Sequence, residues 1–219
     1  RAGRVIEAAD ASTIYEVPLK MLEEKLDLIV LEKLKITNYK EPDLTKWKVF
    51  LEKLKNPKST VNIGLIGKYI ELQDAYMSVR EALRHAALAI GVELDIAWIH
   101  STDLEKDRHW DEVKNADAIL VPGGFGERGT EGKILAAQYA RENNVPYLGL
   151  CLGMQLMCIE FARNVLGYEE ANSTEFDQNT EYPVIDLMLE QRGITDMGGT
   201  MRLGLYPCNL QKGSLAAKS

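Results

Sequence analysis

From Thr60 onward, short apolar segments alternate with amphipathic helical segments along the chain. The apolar segments predict strands over residues 61–67, 92–98, 118–121 and 146–150. The segments between or after them predict helices over residues 75–90, 132–141 and 153–165. This alternation is typical of β-α-β units, and it predicts an α/β fold with a mostly parallel sheet flanked by helices. In such a sheet, chemistry takes place in loops at the carboxyl ends of the strands.

The part of the chain before Thr60 follows a different pattern. Apolar side chains at helical spacing predict one helix over residues 14–36 and a second over residues 44–54. The second helix ends before Asn56-Pro57, because proline disfavours helix in the residue that precedes it. We therefore expect a helical appendage over residues 1–36, a linker over residues 37–59 and an α/β domain over residues 60–219.

Composition excludes several classes of protein. Of the 219 residues, 46% are hydrophobic and 27% are charged, the balance of a globular protein with a sizeable core. The longest weakly polar run, residues 145–159, is too short to span a bilayer, so we expect no membrane association. Three cysteines without a Cys-x-x-Cys pair predict neither a disulfide framework nor a metal clip, and a cytoplasmic location is expected. The net charge of −7 argues against a nucleic-acid surface, which would carry a basic stripe.

The first candidate for chemistry is Gly149-Leu150-Cys151-Leu152-Gly153, which joins a predicted strand to a predicted helix. It has the form of a Gly-x-Ser-x-Gly nucleophile elbow with cysteine as the nucleophile. Such a turn is so tight that side chains on either side of the nucleophile would collide, hence the two glycines. At the helix N-terminus, the dipole and free backbone N–H groups would stabilise a thiolate and an oxyanion. The alternative is that Cys151 is a small buried residue.

The second candidate is the glycine-rich loop Pro122-Gly123-Gly124-Phe125-Gly126, directly after the predicted strand 118–121. Its glycines let backbone N–H groups turn toward a ligand. Beside a nucleophile, such a loop supplies an oxyanion hole together with the N–H that follows the nucleophile, here that of Leu152. The alternative is a flexible turn. The other cysteines, Cys158 and Cys208, and the three histidines, His85, His100 and His109, carry no such pattern.

These two loops resemble those of class I (triad) glutamine amidotransferase domains, which are flavodoxin-like. The sequence that flanks these loops is similar to that of the CTP synthase family over nearly the whole chain. The segments that carry this likeness are residues 12–18, 67–72, 74–76, 171–176 and 198–204.

The resemblance implies ATP-dependent amination of UTP to CTP, with ammonia that this domain releases from L-glutamine. It implies a synthetase domain as partner in the same protein, a homotetramer in the cytoplasm, ATP and Mg²⁺ as needs of the whole enzyme, and GTP as its activator. No cofactor and no metal are expected in the present chain.

The resemblance also assigns roles to residues. Cys151 would form a glutamyl thioester, and Gly124 and Leu152 would supply the oxyanion hole. Gly124 and residues 152–155, which are Leu152, Gly153, Met154 and Gln155, would line the glutamine site. Glu175 would accept a hydrogen bond from the substrate α-ammonium, for which an anionic partner is chemically sensible; the alternative is an ordinary exposed acid. Arg128 would lie on a mobile lid that responds to GTP.

The chain departs from the family pattern in one respect that bears on catalysis. The family has a His-x-Glu pair far downstream of the cysteine, as general base and its orienter, whereas no histidine follows Cys151 here. The resemblance thus implies that the chain is a piece of a longer protein. Residues 1–36 would be the tail of the synthetase domain, residues 37–59 an interdomain linker helix, and residues 60–219 a glutamine amidotransferase domain that is incomplete at its C-terminus. We expect at most feeble glutaminase activity from this chain alone. The alternatives are a non-catalytic glutamine-binding or assembly module, another class I amidotransferase or a related cysteine hydrolase.

Overall fold

A four-stranded parallel sheet lies at the centre of the α/β domain, with the strand order β2-β1-β3-β4. The computed structural model describes residues 5–195, 199 and 204–218. The strands are β1 (Thr60–Gly67), β2 (Glu93–His100), β3 (Ala118–Val121) and β4 (Tyr147–Gly149). Each pairing is parallel, so the predicted fold class is confirmed.

Helices cover both faces of this sheet because neighbouring strand residues point to opposite faces. On one face, Ile66 and Val121 pack in a buried cluster with Ala136 and Ala140 of α7 (Thr130–Glu142). On the other face, Leu65 and Leu120 pack with the region around α4 (Met77–Ile90), whose Val79 and Leu83 adjoin that cluster. Another helix, α8 (Leu152–Asn164), follows β4 and packs against α7.

The N-terminal segment differs from the sequence prediction of one helix over residues 14–36. A short 3-10 helix, Ile14–Glu16, leads into α1 (Val17–Glu23), and α2 (Leu26–Lys33) follows as a separate helix. The break occurs at Lys25, which adopts a left-handed conformation with φ of 57°. The spacing of the leucines continues across this residue, so the pattern alone could not reveal the break. The predicted helix over residues 44–54 is confirmed as α3 (Thr45–Lys55).

Tyr15 attaches the N-terminal segment to α3 and α4. Its ring is buried and makes edge contacts with Trp47 and Phe50, and its carbonyl accepts a 2.8 Å hydrogen bond from Trp47 Nε1. Its hydroxyl donates to Glu81 Oε2 at 3.0 Å and lies 2.9 Å from His85 Nε2. The division of the chain at residues 36 and 59 remains a prediction.

Several short elements were not anticipated from the sequence. They are α5 (Ser101–Leu104), α6 (Trp110–Lys114), α9 (Leu215–Lys218), two further 3-10 helices (Gln73–Tyr76 and Leu189–Gln191) and a second, two-stranded parallel sheet of β5 (Ala171–Ser173) and β6 (Tyr182–Ile185). They are too short to show a period. Within the described ranges, no helix is both long and apolar enough to cross a membrane.

A buried ion pair joins α7 to α8. Arg141 donates to Glu160 through Nε and Nη2, with Nη2 2.7 Å from Oε1, and the Glu160 side chain is only 2% exposed. Asn164 adds a hydrogen bond to the same carboxylate at 3.1 Å. Because the carboxylate of Glu160 is removed from water, the fold is stable with this charge buried only if the Arg141 guanidinium pairs with it.

We expect Arg141→Met to lower the urea midpoint of unfolding, because Glu160 would lose its cation while it stays buried. The double variant Arg141→Met/Glu160→Met should recover most of this loss. Urea unfolding of the three proteins checks both statements. Equal midpoints for the wild type and Arg141→Met would contradict the role given to the pair.

Candidate active site

Cys151 occupies the tight turn between β4 and α8. Its backbone has φ of 54° and ψ of −110°, a strained conformation for a residue with a side chain, and its side chain is exposed. Its carbonyl accepts hydrogen bonds from the N–H groups of Met154 and Gln155, both at 3.1 Å, so it begins α8. The thiol is therefore presented to solvent at the N-terminus of a 13-residue helix.

The two glycines that flank Cys151 are required by close backbone contacts. A Cβ on Gly149 would overlap the carbonyl group of Gly153, and a Cβ on Gly153 would overlap the carbonyl oxygen of Val121 in β3. The steric reason that the sequence suggested for both glycines is thus confirmed. These close contacts also hold the start of α8 directly over the ends of β3 and β4.

The structure brings the glycine-rich loop alongside the thiol. A Cβ on Gly123 would lie 3.2 Å from Cys151 Cβ and 3.7 Å from Cys151 Sγ. Leu152 also adjoins the loop, since a Cβ on Gly124 would lie 3.7 Å from Leu152 Cδ2. As the first residue of α8, Leu152 has a backbone N–H with no acceptor inside the helix. The oxyanion roles of Gly124 and Leu152 remain predictions, now supported by proximity.

The predicted glutamine-site residues at the start of α8 differ in exposure. The side chain of Leu152 is buried in a cluster with Ile134 and Leu156, so only its backbone can reach a substrate. Gly153 is buried, Met154 is 43% exposed and Gln155 is partly buried. Met154 and Gln155 therefore have side chains that a ligand beside Cys151 could contact.

Glu175 lies against the glycine-rich loop, at the opposite end of that loop from the thiol. Its Oε1 accepts a 2.8 Å hydrogen bond from the N–H of Gly126, and its own N–H donates to Ser173 Oγ at 3.2 Å. β5 ends at Ser173, so the small second sheet holds Glu175 in place. Cys151 and Glu175 thus contact the two ends of the same glycine-rich loop, and the role of Glu175 toward a substrate remains a prediction.

Two lysines at this site were missed from the sequence. Lys68, one residue after β1, is 3% exposed and donates to the carbonyl oxygens of Phe125 and Gly126. Burial and the nearby Arg128 lower the pKa of Lys68, while Glu175 opposes them. Lys133 of α7 is fully buried, and its Nζ would lie 3.8 Å from a Cβ on Gly124. The sequence gives no signal for their burial, because a lysine after a strand or within an amphipathic helix is ordinarily exposed.

Arg128, predicted on a lid, is folded against the end of β1. Its Nη2 donates to the carbonyl oxygen of Lys68 at 3.3 Å, and its guanidinium lies 5.9 Å from the centre of the Tyr69 ring. Gly126 and Gly129 on either side of it have φ of 72° and 77°, conformations that glycine adopts without cost. Its proposed response to GTP remains untested.

No histidine in the described part of the chain hydrogen-bonds the Cys151 thiol. The histidines instead contact local partners: His85 the Tyr15 hydroxyl, His100 Thr102 Oγ1 at 2.7 Å, and His109 Glu112 Oε1 at 2.9 Å. Among the residues the structure describes, no group of three or more His, Cys, Asp or Glu side chains could hold a metal ion. Of the family-like segment 198–204, residues 198 and 200–203 lie outside the described residues.

Comparison with known proteins agrees with this geometry. A family model described as glutamine amidotransferase class-I matches residues 71–218. The CTP synthases of Geobacillus kaustophilus and Cytophaga hutchinsonii are each 58% identical over 212 residues, which is 97% of this chain but 40% and 39% of theirs. The chain therefore spans about 40% of the length of these relatives. A solved structure, the Trypanosoma brucei CTPS glutaminase domain with bound acivicin, is 43% identical with a TM-score of 0.57, over 60% of this chain and 52% of that one.

We expect Gly153→Ala to destabilise the fold by about 3 kcal/mol, because the new methyl group must displace the Val121 carbonyl and with it the start of α8. Gly167→Ala is the matched control: its Cβ meets nothing within 4 Å, so only its φ of 78° is unfavourable, at about 1 kcal/mol. Thermal unfolding followed by circular dichroism measures both. Equal losses in the two variants would show that the contact with Val121 is not tight.

Proposed function

This chain belongs to the class-I glutamine amidotransferase family, and we propose that within it the chain is the glutaminase part of a CTP synthase. One observation carries the proposal: a strained, exposed Cys151 lies at a helix N-terminus, with the backbone of Gly123 against its thiol. The identity to CTP synthases along 97% of the chain favours this assignment over another cysteine hydrolase of the same fold.

In the proposed reaction, the Cys151 thiolate attacks the side-chain amide carbon of L-glutamine. The carbonyl oxygen becomes an oxyanion, which the N–H groups of Gly124 and Leu152 would stabilise. When the carbon–nitrogen bond breaks, the nitrogen takes a proton and leaves as ammonia, and a glutamyl thioester remains on Cys151. Water then attacks the thioester, which releases glutamate and restores the thiol.

Substrate recognition is proposed to use Glu175 and the start of α8. One carboxylate oxygen of Glu175 accepts a hydrogen bond from the N–H of Gly126, and the second oxygen can accept a hydrogen bond from a substrate α-ammonium. Because the hydrogen bond to Gly126 fixes the carboxylate beside the loop, an amino acid held by it would lie along the loop toward Cys151. Gly153, Met154 and Gln155 would border the side chain of that amino acid.

The steps beyond ammonia release are proposed for a synthetase domain of the same protein. That domain would use ATP and Mg²⁺ to activate UTP and would take ammonia from this site to form CTP, in a cytoplasmic homotetramer. GTP would act through the loop that carries Arg128. The support for a further domain is that the CTP synthases of Geobacillus kaustophilus and Cytophaga hutchinsonii extend well beyond the part that this chain matches.

A second candidate is a non-catalytic module that binds glutamine without turnover. The three histidines all precede Cys151 in the sequence, and each contacts a partner elsewhere. Cysteine amidohydrolysis uses a general base to move protons between the thiol, the leaving nitrogen and water. Covalent labelling and turnover separate the two candidates.

We expect acivicin, the compound bound in the solved relative, to modify Cys151 and to leave Cys158 and Cys208 largely unmodified. Glu175→Gln should slow this labelling about tenfold, because it removes the charge that would face the α-ammonium. Glu181→Gln, a change at an exposed acid, is the matched control and should label at the wild-type rate. Peptide mass spectrometry gives the rates; equal labelling of Cys151 and Cys208 would contradict a glutamine site at the elbow.

We expect the isolated chain to release ammonia from glutamine only slowly, within about tenfold of a Cys151→Ala variant at neutral pH, because no histidine serves the thiol. Added imidazole should raise the rate of the wild type and not of the variant. An enzyme-coupled assay for ammonia measures these rates. Turnover near the usual enzyme range of about 1–1000 per second without imidazole would refute this expectation.

A further inference from the structure

Lys133 carries a buried ammonium group that has no hydrogen-bond partner in the part of the chain that the structure describes. Its side chain is completely buried in α7, and its Nζ makes no hydrogen bond among the described residues. An unpaired charge in a protein interior lowers stability, so packing alone does not account for a lysine here. A methionine of similar length would fill the same space without a charge.

The ammonium is aimed at the glycine-rich loop. A Cβ on Gly124 would lie 3.8 Å from Lys133 Nζ, while a Cβ on the preceding Gly123 would lie 3.7 Å from Cys151 Sγ. The lysine and the thiol therefore face the same short stretch of backbone. This stretch includes the N–H of Gly124, which the proposed reaction uses to stabilise the oxyanion.

Charged and titratable groups surround Lys133 on several elements. Lys68 approaches from the end of β1 and Cys151 from the start of α8, and Glu105, the residue after α5, accepts a hydrogen bond from the N–H of Gly132 at 3.2 Å. Arg128 and Glu175 lie beyond, around Lys68. Burial, followed by repulsion from Lys68, lowers the pKa of Lys133 to about 8, and the Cys151 thiolate acts in the opposite direction. At neutral pH the amine is thus still mostly protonated.

The two buried lysines differ in what their charges face. Lys68 donates to the carbonyl oxygens of Phe125 and Gly126, so its ammonium is already paired with polar groups of the loop. Lys133 has no such acceptor within the described ranges, and the Cys151 thiolate is the negative group that favours its charged form. Of the two lysines, Lys133 is therefore the one whose positive charge is free to act on Cys151 Sγ.

We propose that Lys133 is a positioning residue for the thiol, whose buried ammonium stabilises negative charge on Cys151 Sγ and on the oxyanion beside Gly124. This inference rests on the proposed function, because it takes Cys151 as the nucleophile. The charge acts through space, with no covalent step and no proton transfer at Lys133. The charge of Lys133 adds to the stabilisation of negative charge that the helix N-terminus supplies.

The test is the rate at which iodoacetamide alkylates Cys151, with Cys208 of the same chain as internal reference. We expect Lys133→Met to slow Cys151 roughly fivefold at pH 7 and to leave Cys208 unchanged, because thiolate character falls when a nearby cation is removed. The ratio of wild-type to variant rates should approach one above about pH 10, where Lys133 has lost its proton in the wild type as well. A change in packing alone would lower the rate equally at every pH.

Control variants keep the outcomes distinct. Lys114→Met, at an exposed lysine of α6, should leave both rates unchanged, and Lys133→Gln repeats the test with a polar neutral side chain. Unchanged Cys151 reactivity in Lys133→Met at pH 7, or a pH-independent loss, overturns the proposal. Iodoacetamide needs no glutamine recognition, so a failure of acivicin labelling with the iodoacetamide effect intact would count against the proposed function and not against Lys133.

Folding stability gives a second readout with a definite sign. The unfolded chain has Lys133 at its ordinary pKa near 10.5, whereas the folded chain holds it at about 8. Between these values the unfolded state binds more protons, so wild-type stability should rise with pH over this window. Lys133→Met should lack that rise and be more stable than the wild type at pH 7. A wild type whose stability stays flat across this window would show that burial does not disfavour the charged form of Lys133, and it would overturn the proposal.

Discussion

The whole site depends on how closely α8 approaches the sheet. The first turn of this helix lies directly against the carbonyl of Val121 and against Gly149, and neither contact leaves room for a Cβ. The chain can make this turn only if Cys151, between the two glycines, takes a strained backbone conformation with φ of 54°. Exposure of the thiol follows from that geometry, because the turn directs the one side chain it carries away from the packed backbone.

The strain at Cys151 and the orphan charge of Lys133 both oppose folding, so other contacts must offset them. The elements that carry these residues are joined to one another by several buried contacts. β3 and β4 pair directly below the turn, and α7 and α8 share the Arg141–Glu160 ion pair and a buried cluster around Leu156. A rigid frame is what allows an unfavourable conformation to persist at a reactive residue.

The sequence could predict the features that depend on periodicity and on backbone sterics. The alternation of apolar and amphipathic segments predicted the parallel sheet, and the spacing of Gly149 and Gly153 predicted the tight turn. Both features depend on residues close together in the sequence. It could not predict Lys68 and Lys133 in the site, since their burial depends on contacts between segments distant in the chain. Lys25 is a similar case: its left-handed conformation breaks a helix whose leucine spacing continues unchanged.

Charge at the site runs against the charge of the domain. Residues 61–219 hold 14 basic and 23 acidic side chains, yet the groups nearest the glycine-rich loop include Lys68, Lys133 and Arg128, with Glu175 as the acid. Cations clustered within an acidic body favour anions locally, and in the proposed reaction these anions would be the thiolate and the oxyanion. Glu175 stands at the far end of the loop, where a positively charged amino group would bind. In the proposed reaction, the loop would separate the negative charge at Cys151 from the α-ammonium at Glu175, and this polarity would set the direction in which the amino acid lies.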